Sequence, residues 1–98
     1  MFLKIHKSYR DVVAVCDSDL IGKRFEEGKF QLDIKENFYK GEEKSEEFII
    51  QIMKKMSRED ATFNIIGKNS VQTAIKAGII NENAVGEIQG VQFALVLL

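Results

Sequence analysis

The chain has 98 residues, 45% of them hydrophobic and 30% charged, and 14 Lys and Arg against 15 Asp and Glu leave a formal net charge of −1. That length suits one domain, residues 1–98, and is too short for two separate cores; the near-neutral charge excludes a surface that is basic all round. A single cysteine, Cys16, excludes an internal disulfide and points to a reducing, cytoplasmic setting.

No targeting segment is expected. Lys4, Lys7 and Arg10 interrupt the start of the chain, which therefore lacks the apolar run of a signal peptide. The longest uncharged apolar run, Phe93 to Leu98, is far short of the roughly 20 residues that a membrane helix needs.

Proline is absent, so turns fall to Gly, Asn, Asp and Ser. Phe2–His6 alternates as a strand does, with Leu3 and Ile5 on one face. After the polar loop Lys7–Arg10, Val12–Cys16 is an unbroken apolar run, the pattern of a strand buried on both faces. Asp17 to Gly22 predicts a short helical turn capped by Asp17 or Ser18. Phe30–Ile34 predicts a strand with Phe30, Leu32 and Ile34 on one side, and Lys35–Lys44 reads as a loop. Ser45 to Met56 predicts a helix: Ser45 is the N-cap, Glu46 and Glu47 suit the positive end of the dipole, and Ile49, Ile52, Met53 and Met56 form an apolar stripe.

Phe63–Ile66 then reads as a strand, and Ser70–Ala77 as a helix capped by Asn69 or Ser70 and closed by Gly78. Strands near Val85–Ile88 and Val91–Leu97 follow, joined by a tight turn at Gln89-Gly90. The resulting fold class is α+β, a mostly antiparallel sheet with two helices in the order β-β-β-α-β-α-β-β. The expected core is Leu3, Ile5, Val13, Val15, Phe30, Leu32, Ile49, Ile52, Met53, Ile65, Ile75 and Phe93. The apolar C-terminus is expected to dock in the sheet or on a partner chain, where it offers an edge for self-association.

Catalytic apparatus is sparse. Asp17-Ser18-Asp19 after a buried strand has the D-x-D spacing of Mg²⁺-dependent phosphotransferases, but the following Thr of that class is replaced by Ile21, and capping is the plainer reading. Gly67-Lys68-Asn69-Ser70 resembles the end of a P-loop, yet Thr62 stands where the upstream glycine belongs; what remains is a helix start able to hold one anion. Cys16 has no C-x-x-C partner, and the lone His6 cannot build a metal site. No catalytic residue, metal or cofactor is implied. Lys4, Lys7, Tyr9, Arg10, Lys23 and Arg24 are candidate RNA contacts, combining cations for phosphates with an aromatic for stacking; on the plainer reading they are solvated surface charges. Phe38 and Tyr39 either stack on bases or pin their loop to the core.

Leu20-Ile21-Gly22-Lys23, Phe25, Glu27-Gly28, Phe38-Tyr39-Lys40-Gly41, Asn64-Ile65-Ile66-Gly67, Ala74, Gly78-Ile79-Ile80, Ile88-Gln89-Gly90-Val91 and Ala94 follow one pattern in order. Together they resemble the archaeal family called domain of unknown function 424, over nearly the whole chain. That family often reads Gly-Val-Pro-His-Ala near its end, where this chain has Gly90-Val91-Gln92-Phe93-Ala94 and so lacks the histidine. The resemblance implies an archaeal cytoplasm and a single domain and carries over no established enzyme activity; an association with translation or RNA metabolism is a family-level guess that these residues do not show. The expected function is a non-catalytic binding module for RNA or a ribonucleoprotein. The alternatives are a protein-interaction or homo-oligomeric module and, least favoured, a small Mg²⁺-dependent phosphatase.

Overall fold

The computed structural model describes residues 1–97 and builds its main sheet from six strands. Strands β1 (Phe2–His6) and β2 (Val12–Cys16) form an antiparallel pair, as their sequence patterns predict. A 3₁₀ turn at Ser18–Leu20 leads into a hairpin of β3 (Arg24–Glu27) and β4 (Phe30–Asp33), which make a separate two-stranded sheet. The short helix α1 (Glu36–Tyr39) and the two-residue strand β5 (Glu42–Glu43) precede the long helix α2 (Glu46–Arg58). Strand β6 (Thr62–Ile66), helix α3 (Lys68–Lys76), a 3₁₀ turn at Glu82–Ala84, and strands β7 (Gly86–Ile88) and β8 (Val91–Val96) complete the chain. Leu98 of the expected C-terminal strand lies outside the described residues.

The strand order is β5-β1-β2-β6-β8-β7, and every neighbouring pair is antiparallel except β2 and β6. The α+β class with a mostly antiparallel sheet therefore holds, while the expected element order needs three additions: β3, α1 and β5. Each is missing from the sequence pattern for a physical reason. Strand β3 has one apolar residue, Phe25, among three charges, because its outer face is solvated. Helix α1 and strand β5 are too short to carry a period and are held by tertiary contacts.

One face of the sheet carries Leu3, Val13, Val15, Phe63, Ile65 and Ala94 against Ile49, Met53 and Met56 of α2 and Val71 and Ala74 of α3. The other face buries Ala14, Cys16 and Ile66 under Ile34 and Tyr39, with Leu32, Phe38 and Phe93 at the margin. Val12–Cys16 is covered on both sides, which is why it reads as an unbroken apolar run. Of the expected core, Leu3, Val13, Val15, Ile49, Met53 and Ile65 are buried, Ile5, Leu32, Ile52, Ile75 and Phe93 are half-buried against it, and Phe30 is 71% exposed. Of its three alternating residues Ile34 is fully buried and Leu32 half-buried, so burial fades toward the hairpin tip, where nothing covers the strand.

Capping follows the sequence in α2, where Ser45 Oγ accepts from Phe48 N at 3.2 Å. Helix α3 ends as expected at Gly78: Gly78 N donates to Ile75 O and Ile79 N to Ala74 O, the paired bonds of a Schellman motif. Its start differs from expectation. The helix begins at Lys68, with Gly67 at the N-cap and no local side-chain cap, so neither Asn69 nor Ser70 caps it. No helix is long and apolar enough to cross a membrane among the described residues.

Candidate functional site

Parallel pairing sets Cys16 beside Ile66, so the residues after β2 and β6 emerge side by side. Asp17 and Gly67 are those residues. The Asp17 backbone N–H donates to Ile66 O at 3.0 Å, and its buried carboxylate turns onto the start of α3. Oδ1 accepts from Ser70 N at 2.8 Å and from Ser70 Oγ at 2.7 Å, and Oδ2 accepts from Asn69 N at 3.0 Å. The two constellations singled out in the sequence thus meet, and they satisfy one another. The anion at the Gly67–Ser70 helix start is the chain's own carboxylate.

This also corrects the reading of the Asp17–Gly22 turn. Asp17 precedes the 3₁₀ turn but makes no side-chain cap to it. Nor do the D-x-D carboxylates converge: Asp17 is buried against α3 while Asp19 is exposed. Ser18 Oγ instead donates to Glu43 Oε1, and Glu43 also meets the Met1 amino group at 3.0 Å; these contacts hold the Glu43 carboxyl below the usual carboxylate range. Cys16 is fully buried, and desolvation together with Asp17 and Asp19 pushes its thiol up to about 12, so no nucleophilic thiolate forms near neutrality.

The candidate RNA contacts lie in three segments, β1, the loop before β2 and the start of β3. Lys7, Tyr9 and Arg10 sit in the loop before β2, whereas Lys23 and Arg24 follow its far end. The five residues of β2 span about 16 Å. Lys4 Nζ donates to Asn37 O at 2.6 Å, Lys7 pairs with Asp11 at 3.1 Å, and Arg24 pairs with Glu26 at 2.8 Å. Lys68 and Lys23 are exposed.

His6 and Lys4 share a structural task. His6 Nε2 donates to Phe38 O at 2.9 Å and its ring stacks on Phe38 at 4.3 Å, so the two β1 side chains satisfy carbonyls at the end of α1. Phe38 and Tyr39 accordingly pin their segment to the sheet, and burial pushes the Tyr39 phenol up to about 12.

Sequence reasoning missed the feature on the far side of β1. Strand β5 runs beside only Phe2 and Leu3, and the Gly41 backbone passes so close to Leu3 and Lys4 that a Cβ would collide with both. Among the described residues no strand lies beside Lys4–His6 on that side. Under this open edge is a mostly apolar cleft of ≈ 410 Å³ lined by Leu3, Lys4, Ile5, Gly41, Glu42, Lys44, Phe48 and Ile52. Phe48 is 42% exposed, with Lys44 Nζ 4.7 Å from its ring centre. The available signal was the pair Phe48 and Ile52 at i and i+4, a second apolar line beside the main stripe of α2.

A smaller cleft of ≈ 360 Å³ between α3, the Glu82–Ala84 turn and β8 contains Gln92, whose Oε1 is buried with no hydrogen-bond partner among the described residues.

The sequence model of one family, described as "Protein of unknown function (DUF424)", matches residues 6–98. The chain belongs to the DUF424 family. A similar solved structure is that of an uncharacterized conserved protein from Methanopyrus kandleri, 26% identical, with a TM-score of 0.86 over 97% of this chain and 88% of that one. No curated protein matches the chain. In this DUF424 chain the segment Gly90-Val91-Gln92-Phe93-Ala94 crosses from the Gln89-Gly90 turn into β8; Phe93 packs against Gly86, where a Cβ would lie 2.7 Å from its ring.

Proposed function

We propose that this DUF424 chain is a non-catalytic binding module that accepts an extended peptide strand along β1. The observation that carries this reading is the edge of β1 at Ile5 and His6, which no strand pairs among the described residues and which lies beside an apolar cleft. Strand addition uses those two elements together: the edge supplies affinity through the backbone, and the cleft selects alternate side chains. Strand β5 shows the geometry, because it adds antiparallel to β1 at Leu3 and Phe2. The fitting ligand is an extended segment with apolar residues at every second position. Lys4, Glu42 and Lys44 on the rim keep the edge from pairing indiscriminately.

The test is fluorescence anisotropy with a short labelled peptide that alternates valine and threonine. Binding in the micromolar range is expected, and Phe48→Glu should weaken it roughly tenfold, about 1.4 kcal/mol, with an unchanged circular dichroism spectrum. No binding by the unsubstituted protein, or equal binding by the variant, would overturn the reading.

A second reading, contact with RNA, draws support from the loop between β1 and β2, where fully exposed Tyr9 lies between Lys7 and Arg10. An aromatic flanked by cations suits single-stranded RNA. Two phosphate contacts from that loop give a log–log salt slope of about −1.4 for a single strand. A filter-binding titration at two salt concentrations checks it, and salt-independent retention would remove this reading.

A further inference from the structure

We infer that the strand accepted along β1 is the segment Ala94–Leu97 of a second copy of this chain, so that the domain associates head to tail. This rests on the reading of β1 as an accepting edge and names its occupant. Strand β8 pairs with β6 through Phe93–Val96, but with β7 only through Val91–Phe93. Ala94–Val96 therefore have a strand on one side and none on the other among the described residues. The expected free edge of the C-terminal strand is thus confined to its last part, since β8 lies between β6 and β7 in the sheet.

The side chains of this segment match what the cleft lacks. Ala94 is buried and Val96 half-buried against the helix-covered core, whereas Leu95 is 53% exposed and Leu97 72% exposed. Two large aliphatic side chains at alternate positions of an open strand are the ligand pattern that strand addition over an apolar cleft selects. Val91–Leu97 carries no charge, so docking it beside Leu3, Ile5, Phe48 and Ile52 desolvates no ion on the incoming strand. Two independent features of one chain, an unpaired edge and a half-paired apolar strand, complement each other in backbone and polarity.

The two features lie toward opposite sides of the sheet, whose order places β1 next to β5 at one side and β8 next to β7 at the other. Such a contact is heterologous: each copy uses its edge for one neighbour and its tail for another. Assembly then grows with concentration, and each half can be blocked separately.

The experiment is light scattering of the full chain from micromolar to near-millimolar concentration. The unsubstituted protein should show mass rising with concentration. Phe48→Glu blocks the cleft, and a double Leu95→Asp, Leu97→Asp variant blocks the tail; each should stay monomeric while keeping a folded circular dichroism spectrum. Mixed together, they should give a one-to-one heterodimer, because one intact tail and one intact cleft remain. A monomeric unsubstituted protein, a mixture that stays monomeric, or a blocked variant that still self-associates would each overturn the inference. If the alternating valine–threonine peptide binds while the protein stays monomeric, strand acceptance stands and only the second copy is wrong as its occupant. If neither binds, both fall.

Discussion

Replacing Asp17 by alanine is expected to destabilise the fold by about 3–5 kcal/mol, because one carboxylate serves as the cap of α3 from another element. The helix has no side-chain cap of its own, and Asp17 supplies acceptors for Asn69 N, Ser70 N and Ser70 Oγ. Removing it leaves donors unsatisfied where Ser70 is wholly buried, and each such group costs about 1–3 kcal/mol. The lost charge at the positive end of the helix adds as much as ~2 kcal/mol in a partly buried geometry. These contributions overlap and are not additive, which sets the range. For a domain of this size the midpoint of thermal unfolding should fall by about 15 °C or more. Asp17→Asn keeps one carbonyl acceptor but turns an amide N–H₂ toward a donor, so it should lie between the two proteins. Urea unfolding followed by circular dichroism measures the series, and a loss under about 1 kcal/mol for Asp17→Ala would mean that the carboxylate does not hold α3.

The placement of that cap explains which parts of the protein were legible in its sequence. Asp17 and Gly67–Ser70 each stand out locally, one after a buried strand and the other before a helix. Nothing local says that they touch. Their meeting depends on β2 and β6 being parallel neighbours in a register that sets Cys16 against Ile66, fifty residues away. Where the signal is local, the pattern and the structure agree: the bounds of β1 and β2, Ser45 as a cap, the apolar stripe of α2, the Schellman end at Gly78, and the two left-handed residues of the Gln89-Gly90 turn. Where the element is defined by its partners, the pattern is silent. Helix α1 is one turn, too short to be stable alone, and it is held by the burial of Tyr39 and Phe38 and by Lys4 and His6 on its carbonyls. The unpaired edge of β1 is likewise invisible, since it arises from where β5 begins rather than from any residue in β1 itself. The placement of the basic residues has the same origin: Lys7 precedes β2 and Lys23 follows it.

Gly67→Ala should be at least as damaging as the loss of Asp17, and the two changes should be coupled. Gly67 holds φ +104° and ψ 154°, a region that is nearly exclusive to glycine and costs other residues about 1–3 kcal/mol. A Cβ there would also lie 2.5 Å from Asp17 Oδ2 and 2.7 Å from Asp17 Cβ, inside van der Waals contact, and Asp17 is held by three hydrogen bonds and is not free to yield. The expected loss is about 3–5 kcal/mol, of the order seen for overpacking combined with backbone strain. Gly22→Ala separates the two contributions. Gly22 also has a left-handed backbone, φ +81°, but nothing stands within 4 Å of its Cβ position, so its replacement should cost only about 1–2 kcal/mol. In the Asp17→Ala, Gly67→Ala double variant the carboxylate that blocks the new methyl is gone. Its loss should therefore fall short of the sum of the single losses by about 1–2 kcal/mol, within the range of coupling between touching residues. Strict additivity in a denaturant cycle would show that the methyl and the carboxylate do not compete for the same space. The glycine after β6 is then explained by what lies after β2: the closer the carboxylate comes to the helix it caps, the less room remains for any side chain at the point where that helix begins.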